Sequence, residues 1–333
     1  DGYDLEKVSH AKTGLIKVAW MRNWFDRWAE RPSFDDYDIF LASCGEGARF
    51  VERAGKEVHL FPIATNSDRF QPGKSGTRTV DVVFTGHKWG VVRDIEKFLS
   101  PSDFPGSLEV YGNGWENHEK FGPYWRGFVP YERLPEIYSR ARIVIDDAVE
   151  GITKPWGSVN SRVFDALAAG ALVVTNGVKG SDDLFEGRLP GYADGEQLRK
   201  LIRTYGENEP EREKKAAELR EMVLAGHTYR KRARELREIL VRYCEKNYRI
   251  ALKVPVPDRK QAHTWGDYHF ALSLKRALVK QGHSVRIDLL PEWERREDFG
   301  DDVVLVLRGL SRYEPKRDHI NLMWNISHAD KVS

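Results

Sequence analysis

A chain of 333 residues is long enough for two domains that each bury their own core. Hydrophobic residues at 41% and charged residues at 31% exclude a disordered composition, and two cysteines, Cys44 and Cys244, exclude a disulfide scaffold. Fifty-three Lys and Arg against 51 Asp and Glu leave a formal charge of +2, so no bulk field favours nucleic acid or an anionic membrane.

In chain order, Ile16–Trp20 and Asp38–Ala42 read as strands, Gly45–Ala54 as a helix and Glu57–Ile63 as a third strand. Polar Thr65–Thr79, with Pro72, Gly73 and Gly76, reads as a linker. Val80–Thr85, Ser107–Tyr111, Ala141–Asp146 and Ala171–Thr175 follow as strands, separated by helices near Val92–Phe98, Leu134–Ser139 and Ser161–Ala169. Glu209–Cys244 has helical periodicity broken at Gly226-His227-Thr228, which predicts two helices. From Tyr248 a new pattern begins: strand Ile250–Val254, helix Phe270–Gln281, and strands Ser284–Leu289, Val303–Leu307 and His319–Trp324. Short β-branched runs alternating with helices predict an α/β class, with parallel sheets covered on both faces.

Ile16-Lys17-Val18-Ala19-Trp20, with Asp26 six residues on, resembles Ile320-Asn321-Leu322-Met323-Trp324, with Asp330 six residues on. The end of the chain repeats its beginning. With no initiator Met before Asp1, this suggests a piece cut from tandem copies, or a circular permutation. The expected organisation is residues 76–246 as one Rossmann-like domain, and residues 1–75 plus 247–333 as a composite one in which two Trp-ended strands compete for one slot. Trp20, Trp24 and Trp28 would form one aromatic face if helical, able to stack on a sugar, touch a membrane peripherally or fill the core. No apolar run approaches the about 20 residues of a membrane span. Without zinc-spaced Cys and His, a reduced cytoplasmic setting is the default expectation.

Tyr37–Ser43 ending in Ser, then Val58–Ile63, Asn66, Asp68, Arg69-Phe70 and Pro72 resemble the crossover of family-4-type GT-B glycosyltransferases, with the central glycine altered. Val83-Phe84-Thr85-Gly86, Glu109–Gly114, Arg126–Pro130 and Val163–Val174 appear in the order those enzymes use. Asn160-Ser161-Arg162 and Gly226-His227-Thr228-Tyr229 with Arg232-Ala233 are most similar to the spore-maturation CgeB-like members. The resemblance implies two Rossmann-like lobes facing across a cleft, a nucleotide-diphosphate-sugar donor, a hexosyl-like transfer to a glycan or other hydroxyl acceptor, and no cofactor or obligatory metal. Asp146-Asp147, after a strand, suggests either a metal or a helix cap.

By the same resemblance, Gly86 permits close backbone approach to the donor, while His87 and Arg93 stand where the family holds the diphosphate with Arg and Lys. His87 departs from that pattern, and Lys88 can supply the charge. Arg93 is expected to matter more to rate than to stability. Phe128 and Val129 would face the donor base through their backbone, Asn160 and Arg162 would meet phosphate or sugar, and Asp165 would hold the ribose, where the family has Glu. The family's other acid falls on Gly157, which breaks the acid pair and puts retaining stereochemistry in doubt. Trp265–Phe270 resembles the opening loop of the first lobe, with Gly266 facing the donor and Asp267, or His269, as base on the acceptor. Gly112-Asn113-Gly114 is too short for a dinucleotide fingerprint. A non-catalytic module that binds nucleotide-sugar, glycan or a partner is the alternative, and a sugar-nucleotide epimerase is a third.

Overall fold

The computed structural model describes residues 16–74, 76–103, 106–244, 248–293, 300–309, 311–316 and 319–325. The chain divides into two compact units, Lys17–Arg237 and one built from the described residues of Glu238–Ser333.

In the first unit, β1 (Val18–Met21), β2 (Ile39–Ala42) and β3 (Val58–Leu60) form a parallel sheet in the order β1-β2-β3. The short helix α1 (Phe25–Ala29) and helix α2 (Gly45–Arg53) connect them. A second parallel sheet follows, from β4 (Val80–Thr85), β5 (Leu108–Tyr111), β6 (Ala141–Asp146) and β7 (Leu172–Thr175), in the order β5-β4-β6-β7. Its crossovers are α3 (Asp94–Phe98), α4 (Leu134–Ser139) and α5 (Ser161–Ala168); α6 (Val178–Phe185), α7 (Gly195–Glu207), α8 (Glu209–Gly226) and α9 (Tyr229–Cys244) come after β7. The strand order reverses at β4, and open α/β sheets bind ligands beyond the carboxyl ends of their strands at such a reversal.

Strand alternation explains how this sheet is covered. Val83 and Val144 face one core with Phe164 and Leu167 of α5 and Leu219 and Val223 of α8. Val82, Phe84, Ile143 and Ile145 face the other, with Ile95 of α3 and Leu198 and Ile202 of α7. Side chains buried this fully each contribute roughly 1.5–3 kcal/mol from removal from water.

The second unit has β8 (Arg249–Val254), α10 (Gly266–Lys280), β9 (Ser284–Leu289), β10 (Val303–Arg308) and β11 (Ile320–Asn325), in the parallel order β11-β10-β8-β9. The two Trp-ended strands are edge strands of separate sheets, each with its own core. Their packing differs. Trp20 donates its indole N–H to the Phe61 carbonyl at 3.0 Å, whereas the Trp324 ring meets Phe270 of α10 at 5.0 Å. Asp26 lies in α1, and Asp330 lies outside the described residues.

The three early tryptophans do not share a helical face. Trp20 is in β1, Trp24 precedes α1 with φ 52°, and only Trp28 is helical, packed on Tyr37. The left-handed backbone at Trp24 breaks the periodicity that a four-residue spacing suggests.

Candidate functional site

The carboxyl ends of β4 and β5 approach each other closely. Gly112, at φ 127°, sits where a Cβ would lie 2.4 Å from the Gly86 carbonyl oxygen, so only glycine permits this contact. Beyond these ends lies a pocket of about 180 Å³ lined by Thr85, Gly86, His87, Tyr111, Gly112, Phe128, Val129, Leu134, Tyr138, Ser161 and Arg162. Of the residues expected from sequence, Gly86, His87, Phe128, Val129 and Arg162 therefore come together. Phe128 is 58% exposed, which removes simple core packing as its explanation.

Arg162 enters from the first turn of α5. Its Nη2 would lie 3.0 Å from a Cβ on Gly86, so the absent side chain leaves room for the guanidinium. Its Nη1 is buried, makes no hydrogen bond among the described residues and is 3.4 Å from Asp146 Oδ1. The same Asp146 oxygen accepts from Asn160 Nδ2 at 3.0 Å, and its other oxygen accepts from Thr175 Oγ1 at 2.7 Å. Asp146 thus orients both Asn160 and Arg162. Asn160 precedes α5 without capping it, because its amide is turned to Asp146.

His87 accepts the Asn113 backbone N–H at Nδ1, 2.9 Å away. Neutral His87 must then carry its proton on Nε2, making the ring a hydrogen-bond donor on its other side. Lys88 Nζ is 3.2 Å from Glu96 and lies over the Trp115 ring.

Two expected residues face inward. Arg93 is 2% exposed: its Nε and Nη2 bind the Asp147 carboxylate and carbonyl at 3.0 Å each, and Nη1 binds the His87 carbonyl at 2.6 Å. It reaches the pocket only through the His87 backbone. Asp165, also 2% exposed, accepts from Thr65 Oγ1 at 2.6 Å, tying α5 to the segment that joins the two sheets. Burial raises its carboxyl to about 7, partly offset by the Thr65 hydroxyl. Asp146 and Asp147 are ion-pair partners rather than helix caps. Gly266 and Asp267 open α10 in the other unit.

Sequence reasoning missed Thr85, Tyr111, Tyr138 and Ser161 as lining residues, and Asp146 as the orienting acid. A strand ending in an acid, opposite a helix that starts Asn-Ser-Arg, is the signal that points to the last. Among the described residues no group of three or more His, Cys, Asp or Glu could hold a metal ion, and no helix is long and apolar enough to cross a membrane.

Residues 92–238 match a family model described as glycosyl transferase-like. A comparison with curated proteins gives no match. Among solved structures, the chain is similar to a T4 phage BGT mutant in complex with UDP-glucose, at 14% identity and TM-score 0.48, covering 72% of this chain and 76% of that one. A glycosyltransferase from Rickettsia africae is similar at 11% identity and TM-score 0.49, covering 69% and 71%. Anabaena HepE in complex with UDP-glucose is similar at 13% identity and TM-score 0.49, covering 62% and 64%. The chain is a mixed α/β protein with parallel sheets, and its middle carries a glycosyltransferase-like domain.

Proposed function

We propose that the pocket binds a nucleoside diphosphate sugar and that the protein transfers the sugar to a hydroxyl acceptor. One observation carries this reading: the α5 N-terminus and the Arg162 guanidinium converge on the glycine-cleared ends of β4 and β5. A departing diphosphate gathers negative charge on its oxygens, and helix N–H groups with a guanidinium are suited to hold it. In transfer, the bond from the anomeric carbon to the phosphate oxygen breaks, a bond to the acceptor oxygen forms, and the acceptor proton passes to water. Arg162 is the cation on the leaving group, while Lys88 is paired with Glu96 and lies outside the lining of this pocket. His87 walls the pocket, Phe128 and Val129 border the base, and Asn160 orients phosphate or sugar. These donors meet the leaving-group charge without a required metal.

Calorimetric titration with UDP, GDP, ADP and dTDP tests the reading. At least one is expected to bind, and Arg162→Ala is expected to weaken it roughly 10- to 100-fold, the range for a lost charge-assisted contact. Absence of binding to all four, or unchanged affinity in Arg162→Ala, sinks it.

A nucleotide-sugar binder without turnover is the second reading. It is favoured by the inward-facing Arg93 and Asp165 and by glycine at position 157. Binding of a nucleotide sugar without release of nucleoside diphosphate, across a panel of glycan acceptors, would select it.

A further inference from the structure

Beside the nucleotide pocket lies a wider hollow of about 570 Å³, walled by His87, Lys88, Trp89, Gly90, Asn113 and Gly114. His87 belongs to the walls of both spaces. Trp89 is 72% exposed and sits at φ 59°, followed by Gly90 at φ 68°. A bulky residue in left-handed backbone is costly and persists only where its surroundings fix it. Here Arg93 holds the His87 carbonyl at 2.6 Å, the His87 ring stacks on Phe128 at 5.9 Å and 13°, and Trp89 meets the His87 ring edge-on at 5.6 Å. The loop is thus held so that a large indole stays in water.

The wall combines few chemistries. Lys88, its cationic side chain, is paired with Glu96, so an anion finds no unengaged cation in it. What remains is the indole, the Nε2–H of His87, Asn113 and glycine backbone that lets a ligand approach. An apolar face beside hydrogen-bond donors matches a pyranose ring, whose C–H face packs on an aromatic while its hydroxyl oxygens accept.

We infer that this hollow binds a neutral saccharide stacked on Trp89, and that this saccharide is the acceptor. Its role as acceptor rests on the transferase reading; its binding does not. The test uses the full chain and a panel of cellobiose, maltotriose, lactose and chitotriose, read by saturation-transfer NMR, with nucleoside diphosphate binding measured in parallel. At least one saccharide is expected to bind. Trp89→Ala should weaken it at least 10-fold, Trp89→Phe should stay within about threefold because it keeps a flat ring, and both variants should bind nucleotide as the wild type does. The inference is overturned if no saccharide binds, if Trp89→Ala binds as well as wild type, or if Trp89 with exposed Val91 and Val92 instead drives binding to phosphatidylcholine vesicles. A wild-type chain that binds nucleotide but none of the saccharides refutes this site and leaves the transferase reading standing. Saccharide binding in a protein that takes no nucleotide does the reverse.

Discussion

Asp165 and His227 are buried groups whose titrations act in opposite directions. Burial raises Asp165 to about 7, so the native state holds a proton that the unfolded chain has released above about 4. Stability from this group therefore falls as pH rises from about 4 to about 7, by an amount of order 4 kcal/mol. Burial, with the Arg232 guanidinium beside it, lowers His227 to about 4, so the unfolded chain binds the extra proton between about 4 and 6.5. Its contribution rises with pH over that window. The two slopes largely cancel in the wild type. Asp165→Asn keeps an acceptor for Thr65 and removes the charge, so it is expected to raise stability at pH 8. It should also leave a stability that climbs between pH 4 and 6.5. Urea unfolding at pH 4, 5, 6.5 and 8 checks this, and a profile parallel to the wild type would refute it.

Between elements, the Arg93 clamp joins β6 through Asp147 to the loop after β4 through the His87 carbonyl. Removing one partner of a buried pair leaves the other charge uncompensated, a loss of roughly 3–5 kcal/mol. Arg93→Ala is thus expected to lower the urea midpoint strongly, and nucleotide affinity measured on the folded fraction is expected to fall less than in Arg162→Ala. The reverse ranking of the two variants would return Arg93 to the phosphate. Such a residue is hard to read from sequence, because spacing places it in the right loop and only packing decides which way it turns. Elements were more legible than orientations. Val80–Thr85, Leu134–Ser139, Ala141–Asp146 and Ser284–Leu289 agree to the residue, since apolar runs between turn residues leave little freedom. Helices α6 and α7 escaped notice. Val178–Phe185 is rich in Gly, Ser and Asp, poor helix formers that tertiary packing overrides. Gly195–Glu207 did carry a signal, Asp194 accepting from the Gln197 N–H in the pattern that opens helices. Gly157 also has a physical reason invisible in the sequence. It sits at φ 71°, with a built Cβ only 3.1 Å from the Gly180 nitrogen, so an acid there would be strained as well as crowded.

At the scale of the molecule, the pocket and the sheet that builds it belong wholly to Lys17–Arg237, while the cores around β8 to β11 belong to the other unit. Chains with separate cores need not unfold as one two-state species. Calorimetry is expected to resolve two transitions, with a bound nucleoside diphosphate raising only one of them. A single transition that shifts as a whole would contradict independent units. The α/β class and strand sequence were legible because hydrophobic periodicity survives without knowing neighbours. Which sheet each Trp-ended strand joins was not, since a repeat shows kinship without showing its neighbours.

Strand β11 has all six residues exposed, Ile320, Leu322, Met323 and Trp324 among them, and among the described residues it pairs with β10 alone. An apolar strand with a vacant ladder is a template for adventitious pairing. Concentrated preparations should therefore be guarded against stacking into fibrous or gelled material from this rim, and a turbid stock would report on this border rather than on the pocket.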